Sequence, residues 1–242
     1  MFLKINDIIA CRALFFIIAF YVGLWTIRIP TIKDQIQTDY LGIGFIFAIF
    51  SIGSIIAMIF ASQLIRNTSC RIIIIYSGLF HGLLWLPTAF IKNLEIFMII
   101  AFIFGLCFGA FEIACNVYAS NLEKREKKSM MSGIHAFWSL GVLFGSFATS
   151  LFLEWNISFL NNILVYVIIL LPINLFFAFN LKEDPKSSES DKNNIFFIWP
   201  IIIFLLAIIC MANALTEGSV DSWGALYMRD YIKVDGFQIG LA

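Results

Sequence analysis

A chain of 242 residues that is 61% hydrophobic and 13% charged, with a mean hydropathy of +0.92, falls outside the soluble class, where about a quarter of residues are charged. The solvent for this much Ile, Leu and Phe is lipid. Sixteen basic residues balance sixteen acidic ones, so no basic face exists to neutralise phosphates, and nothing reads as a nucleic-acid binder.

A helix crossing about 30 Å of hydrocarbon needs about 20 apolar residues. Seven runs meet that length, at 8–27, 41–65, 72–91, 96–119, 131–153, 161–181 and 195–216, and an eighth begins near Gly236. The runs are continuous and do not alternate every second residue, so an all-α membrane protein is expected and a barrel is not. Lys4 and Arg12 flank the first run, but Arg28-Ile29-Pro30 follows it where a signal peptide would have small residues. An uncleaved first membrane helix is therefore expected.

Basic residues orient the spans. With the N-terminus in the cytoplasm, that side holds Lys4, Arg12, Arg66, Arg71, Lys124, Arg125, Lys127, Lys128, Lys182, Lys186 and Lys192. The other side holds Arg28, Lys33, Lys92, Arg229 and Lys233. The excess follows the positive-inside rule. The most polar stretch, KEDPKSSESDKNN from Lys182 to Asn194, reads as a hydrated linker. The expected organisation is a six-helix unit over 1–181, a cytoplasmic linker over 182–195, and the start of a second unit over 196–242, the layout of transporters built from two six-helix halves. Gly23 and Gly44, then Gly218 and Gly240, recur at similar spacing, through either an internal repeat or chance.

Small residues recur every fourth position at Gly53, Ala57 and Ala61, at Gly105 and Gly109, and at Gly141 and Gly145. Such stripes let helices approach closely in lipid and are read as packing. The five cysteines, Cys11, Cys70, Cys107, Cys115 and Cys210, form no C-x-x-C pair and are read the same way.

Polar groups at membrane depth are the candidate functional residues. Tyr21, Trp25 and Arg28 form one stripe on the first helix, able to stack on a sugar face or to anchor the interface. His81 and Trp85, one turn apart, read as packed. Glu112 lies well inside the fourth span, on one face with Gly105, Gly109 and Asn116. A carboxyl there can exchange a proton or serve as a structural hydrogen-bonding group. His135, near the start of the fifth span, can pair with Glu112 or sit at the interface. Asn213, Glu217, Asp221 and Trp223 either line a mouth or end the seventh helix. No G-x-x-x-x-G-K-[ST], H-E-x-x-H or G-x-S-x-G motif occurs, so neither an ATP-driven pump nor an enzyme is expected, and no cofactor or metal.

Four stretches resemble the major facilitator superfamily, and within it the fucose-permease-related bacterial inner-membrane branch. They are Gly23 to Lys33 (GLWTIRIPTIK), Phe111 to Asn116 (FEIACN), Ser132 to Gly141 (SGIHAFWSLG) and Glu217 to Asp230 (EGSVDSWGALYMRD). The resemblance implies a secondary active transporter of a small polar solute, a sugar or related metabolite, coupled to protons by symport through alternating access. In that reading Glu112 couples protons, and Asn116 and His135 face the substrate cavity; Tyr21, Trp25, Asn213 and Glu217 are candidates for the same cavity. Arg28, Arg66, Arg71, Asp221 and Trp223 are candidates for structural or gating roles. The loop Leu64 to Arg71 keeps only the basic residues of the superfamily's usual pattern, and no Gly-Pro pair follows Gly141 and Gly145, which weakens the drug-exporter alternative. A non-transporting membrane scaffold or sensor is the other alternative. Twelve helices are implied and the sequence reaches the start of an eighth, so the expectation is a partial sequence or truncated product, inactive alone.

Overall fold

The computed structural model describes residues 6–183 and 200–241. Seven long helices account for most of them, and no strand occurs among the described residues. The helices are α1 (Asp7–Gln35), α2 (Tyr40–Asn67), α3 (Cys70–Thr88), α4 (Leu94–Glu126), α5 (Met131–Glu154), α6 (Phe159–Asn180) and α7 (Ile201–Leu226). A π-helical stretch, Tyr227–Ile232, continues α7, and a 3-10 segment spans Gly236–Leu241. All seven helices are long and apolar enough to cross a bilayer. The linker inferred at 182–195 falls mostly outside the described residues, as does the proposed start of the seventh span at 195.

Short polar residues start most of these helices. Asn6, Asp39, Ser69, Asn93 and Ser158 each accept a hydrogen bond from a backbone N–H two or three residues on, at 2.9–3.2 Å, which satisfies a donor the helix cannot. Two ends differ from the sequence expectation. α1 continues past Arg28 through Pro30 to Gln35, because Arg28 is buried against α6 and does not end the helix in water. α4 runs on to Glu126, its charged last turns projecting beyond the apolar run.

α1 packs closely on α5, and α2 on α4; α3 lies against α4 and α6. The glycine stripes set both close pairs. A Cβ on Gly141 or Gly145 would overlap the carbonyl oxygen of Phe16 or Phe20 on α1, and one on Gly53 or Gly105 would overlap that of Phe102 or Phe50 across the α2–α4 contact. Backbone therefore meets backbone, as lipid-embedded helices require when no hydrophobic drive holds them together. Two apolar clusters fill the interior. One, toward the N-terminal face, includes Leu14, Phe15, Ile74, Phe111 and Tyr118, with Cys11, Cys70 and Cys115 buried in it. The other, toward the opposite face, includes Leu24, Ile43, Trp85, Phe97 and Ile163. α7 touches α1 near its C-terminal end, while its side chains from Phe204 to Val220 are exposed.

Candidate functional site

Helices α1 to α5 and the last turns of α7 enclose a central cavity of about 280 Å³. Its walls are mostly rings: Tyr21 and Trp25 from α1, Phe47 and Phe50 from α2, His81 and Trp85 from α3, Phe97, Phe104 and Phe108 from α4, and Trp138 from α5. Tyr21 stacks on Trp85 with centroids 6.1 Å apart and planes 13° apart. Phe104 stands edge-on to both His81 (4.9 Å) and Trp85 (5.0 Å). Trp25 meets Trp85 and Phe47 edge-on. Such offset and edge contacts suit the aromatic quadrupole and hold each ring in place. Ser51, Thr26, Thr88, Ser222 and Asp221 add polar groups. A second cavity, of about 380 Å³, opens between α1, α5 and α7; Thr26, Ser139, Ser146, Glu217 and Asp221 are among its borders.

The structure brings some of the candidate residues together and separates others. Tyr21 and Trp25 line the central cavity, and so do His81 and Trp85, which the sequence reading treated as packing. Each is 3% exposed, hence packed, and also forms cavity wall. The third member of the helix 1 stripe turns away. Arg28 donates to Asn162 Oδ1 (3.0 Å) and to the Ile157 carbonyl (2.7 Å), tying α1 to α6. Tyr21 supports the same contact by donating to the Tyr166 carbonyl at 3.3 Å.

Glu112 and Asn116 are half-buried and lie outside the cavity lining. Glu112 nonetheless follows Phe104 and Phe108 at four-residue steps, so it continues the cavity-facing stripe of α4 one turn toward the N-terminal face. No hydrogen bond or ion pair reaches its carboxyl among the described residues. His135 does not pair with it. That histidine is exposed, and its ring meets Phe15 edge-on at 5.3 Å, because α5 packs mainly on α1 and meets the Glu112 stripe of α4 through Trp138 at Phe108. Trp138, one turn further along α5, reaches the cavity instead.

On α7, Asn213 is exposed and borders neither cavity. Glu217 borders the second cavity, and Asp221 borders both. Trp223 stands edge-on to Phe47 at 5.4 Å and seats α7 against α2. Just beyond, a polar cluster fastens the end of α7 to the α1–α2 turn. Arg229 donates to Asp34 Oδ2 (2.6 Å), Asp230 Oδ1 (2.7 Å) and the Pro30 carbonyl (3.0 Å). Tyr40 donates to Asp230 at 2.9 Å, and Lys33 lies 3.5 Å from the same carboxylate. On the N-terminal face, buried Asp7 pairs with Arg125 and, at 3.4 Å, with Lys182. Arg71 donates to the Phe179 carbonyl (2.7 Å) and lies 3.5 Å from Glu183, whereas Arg66 is exposed.

Sequence comparison decides the family. The model of the Major Facilitator Superfamily matches residues 11–242. The chain belongs to the Major Facilitator Superfamily. Among curated members of the superfamily and related membrane proteins, it is 27% identical over 239 residues to an uncharacterised MFS-type transporter of Yersinia pestis, covering 98% of this chain and 61% of that protein. It is 25% identical over 223 residues to an uncharacterised transporter of Sinorhizobium fredii, covering 88% and 57%. It is 23% identical over 224 residues to membrane protein MosC of Rhizobium meliloti, covering 88% and 52%. The chain thus spans little more than half the length of these relatives. No solved structure matches it.

Proposed function

We propose that the protein is a secondary active transporter of a small polar solute, driven by protons and working by alternating access in a bacterial inner membrane, with its N-terminus in the cytoplasm. In this reading residues 1–181 form the first six-helix half, 182–195 a cytoplasmic linker, and 196–242 the beginning of the second half. The fucose-permease-related resemblance favours a sugar or related metabolite. The observation that carries the proposal is the ring-walled cavity at the centre of the helices, with a carboxyl one turn below it on the same helix face. Rings offer a stacking surface to the apolar face of a sugar ring, and an intramembrane carboxyl without a cationic partner suits a proton carrier. Glu112 takes a proton when the cavity is open outward and releases it inward. Asn116 and His135 lie on the route between Glu112 and the N-terminal face, and Tyr21 and Trp25 contact the solute.

The test uses a version of the protein of the relatives' full length, reconstituted in proteoliposomes with a trapped pH indicator and offered a panel of sugars and small polar metabolites. The expected result is solute-dependent proton uptake that Glu112→Gln abolishes while solute exchange without a gradient persists. Proton uptake in Glu112→Gln equal to that of the parent protein would rule the coupling out.

A further inference from the structure

The chemistry around Asp221 keeps the transport reading above but points to a cationic solute in place of the sugar that the family resemblance favours. Asp221 is half-buried where the two cavities adjoin. No hydrogen bond or ion pair reaches its carboxylate among the described residues. Its acidic neighbours at the same end of the molecule are occupied: Asp34 and Asp230 accept from Arg229, and Glu154 accepts from the Phe237 backbone at 2.9 Å. Glu217, one turn before Asp221, also borders a cavity without a cationic partner, and no Lys or Arg lines either cavity. An unpaired carboxylate withdrawn from water carries an uncompensated desolvation cost, and a cationic ligand would offset it.

The rest of the wall points the same way. Trp25, Phe47 and Trp85 border the same cavity as Asp221, and aromatic faces attract cations most strongly where water is excluded. His81 and Trp85 are each nine-tenths buried or more and hold their rings in this wall. An anion would meet the Asp221 carboxylate and the ring faces, with only neutral hydroxyl groups such as those of Ser51 and Ser222 to receive it.

We propose that the cavity takes a small organic cation, an amine or quaternary ammonium on a compact body, with its positive group beside Asp221 among the rings of Trp25, Phe47 and Trp85. The charge, and not the apolar body, carries the selectivity.

Choline is the probe, because its carbon isostere 3,3-dimethyl-1-butanol has the same shape without the charge. Binding of radiolabelled choline to the purified 242-residue chain in detergent is measured by equilibrium dialysis. The alcohol and the anion 3,3-dimethylbutyrate serve as competitors. Saturable choline binding is expected, with the alcohol competing about tenfold or more weakly, the anion weaker still, and Asp221→Asn losing about tenfold or more in affinity. Equal competition by the alcohol, undiminished choline binding in Asp221→Asn, or no saturable binding would overturn the proposal. If Asp221→Asn does not fold, the comparison of choline with its isostere on the unmutated chain still decides. Binding is read without flux, so a failure of transport or of proton coupling leaves this result standing by itself.

Discussion

Gly109→Ala isolates the close approach of α2 and α4. A Cβ at position 109 would lie 2.5 Å from the Ser54 carbonyl oxygen, 2.7 Å from its Oγ and 2.8 Å from its Cα. Comfortable carbon contacts begin at about 3.5 Å, so the α2 backbone must retreat by roughly 1 Å at Ser54. Overpacking of this kind costs about 1–3 kcal/mol. Alanine also gains about 1 kcal/mol over glycine inside a helix, which obscures the steric cost in a single variant. Gly44→Ala provides the reference, since it lies in α2 and a Cβ there meets nothing within 4 Å. Both variants gain the same propensity, so the stability difference between them is the overpacking cost alone. Unfolding in mixed micelles of increasing SDS, followed by Trp fluorescence, should place Gly109→Ala about 1–3 kcal/mol below Gly44→Ala. Identical midpoints for the two would refute the backbone-to-backbone contact.

Arg28→Met keeps the apolar stem but leaves Asn162 Oδ1 and the Ile157 carbonyl without their donor; a loss of about 2–3 kcal/mol is expected in the same assay, and Arg28→Lys should recover only part of it. Asp7→Asn removes the charge that Arg125 and Lys182 share and should cost about 1.5–3 kcal/mol, the range for hydrogen bonds to charged groups. Arg229→Gln releases the end of α7 from Asp34 and Asp230. Because Asp34 is largely exposed, the stability change should stay near 1 kcal/mol or less and shrink with added salt, while spin labels on α7 and α1 report a broader distance distribution.

Much of the fold was legible because bilayer thickness imposes one length on every span, and each of the seven inferred runs overlaps one of the seven helices. The errors lie where a residue's neighbours, not its type, decide. Arg28 and Pro30 look like a helix end until Asn162 is found beside the guanidinium. The site was less legible. Spacing placed Tyr21 and Trp25 on one face, but no periodicity within α3 says that His81 and Trp85 face the same space as α1. Phe47, Phe50, Phe104 and Phe108 carried no signal among 27 phenylalanines, although Phe104 and Phe108 precede Glu112 at steps of four. Asp221 was legible as a group that either lines a mouth or ends a helix, and the sequence left the two open because its lack of a cationic neighbour among the described residues is a property of three dimensions.

The polar cluster at Arg229 has a mechanical consequence for α7. Within this stretch of chain, which spans little more than half the length of its relatives, the helix is gripped at one end by Asp34, Pro30 and the Trp223–Phe47 contact, while the side chains from Phe204 to Val220 are exposed. It is a beam clamped at one end. With 26 residues at about 1.5 Å each, the beam is about 39 Å long. A tilt of about 10° at the clamp would sweep Ile201 through about 7 Å, so within these residues the angle at which Asp34 and Arg229 hold the helix end governs where its far end lies.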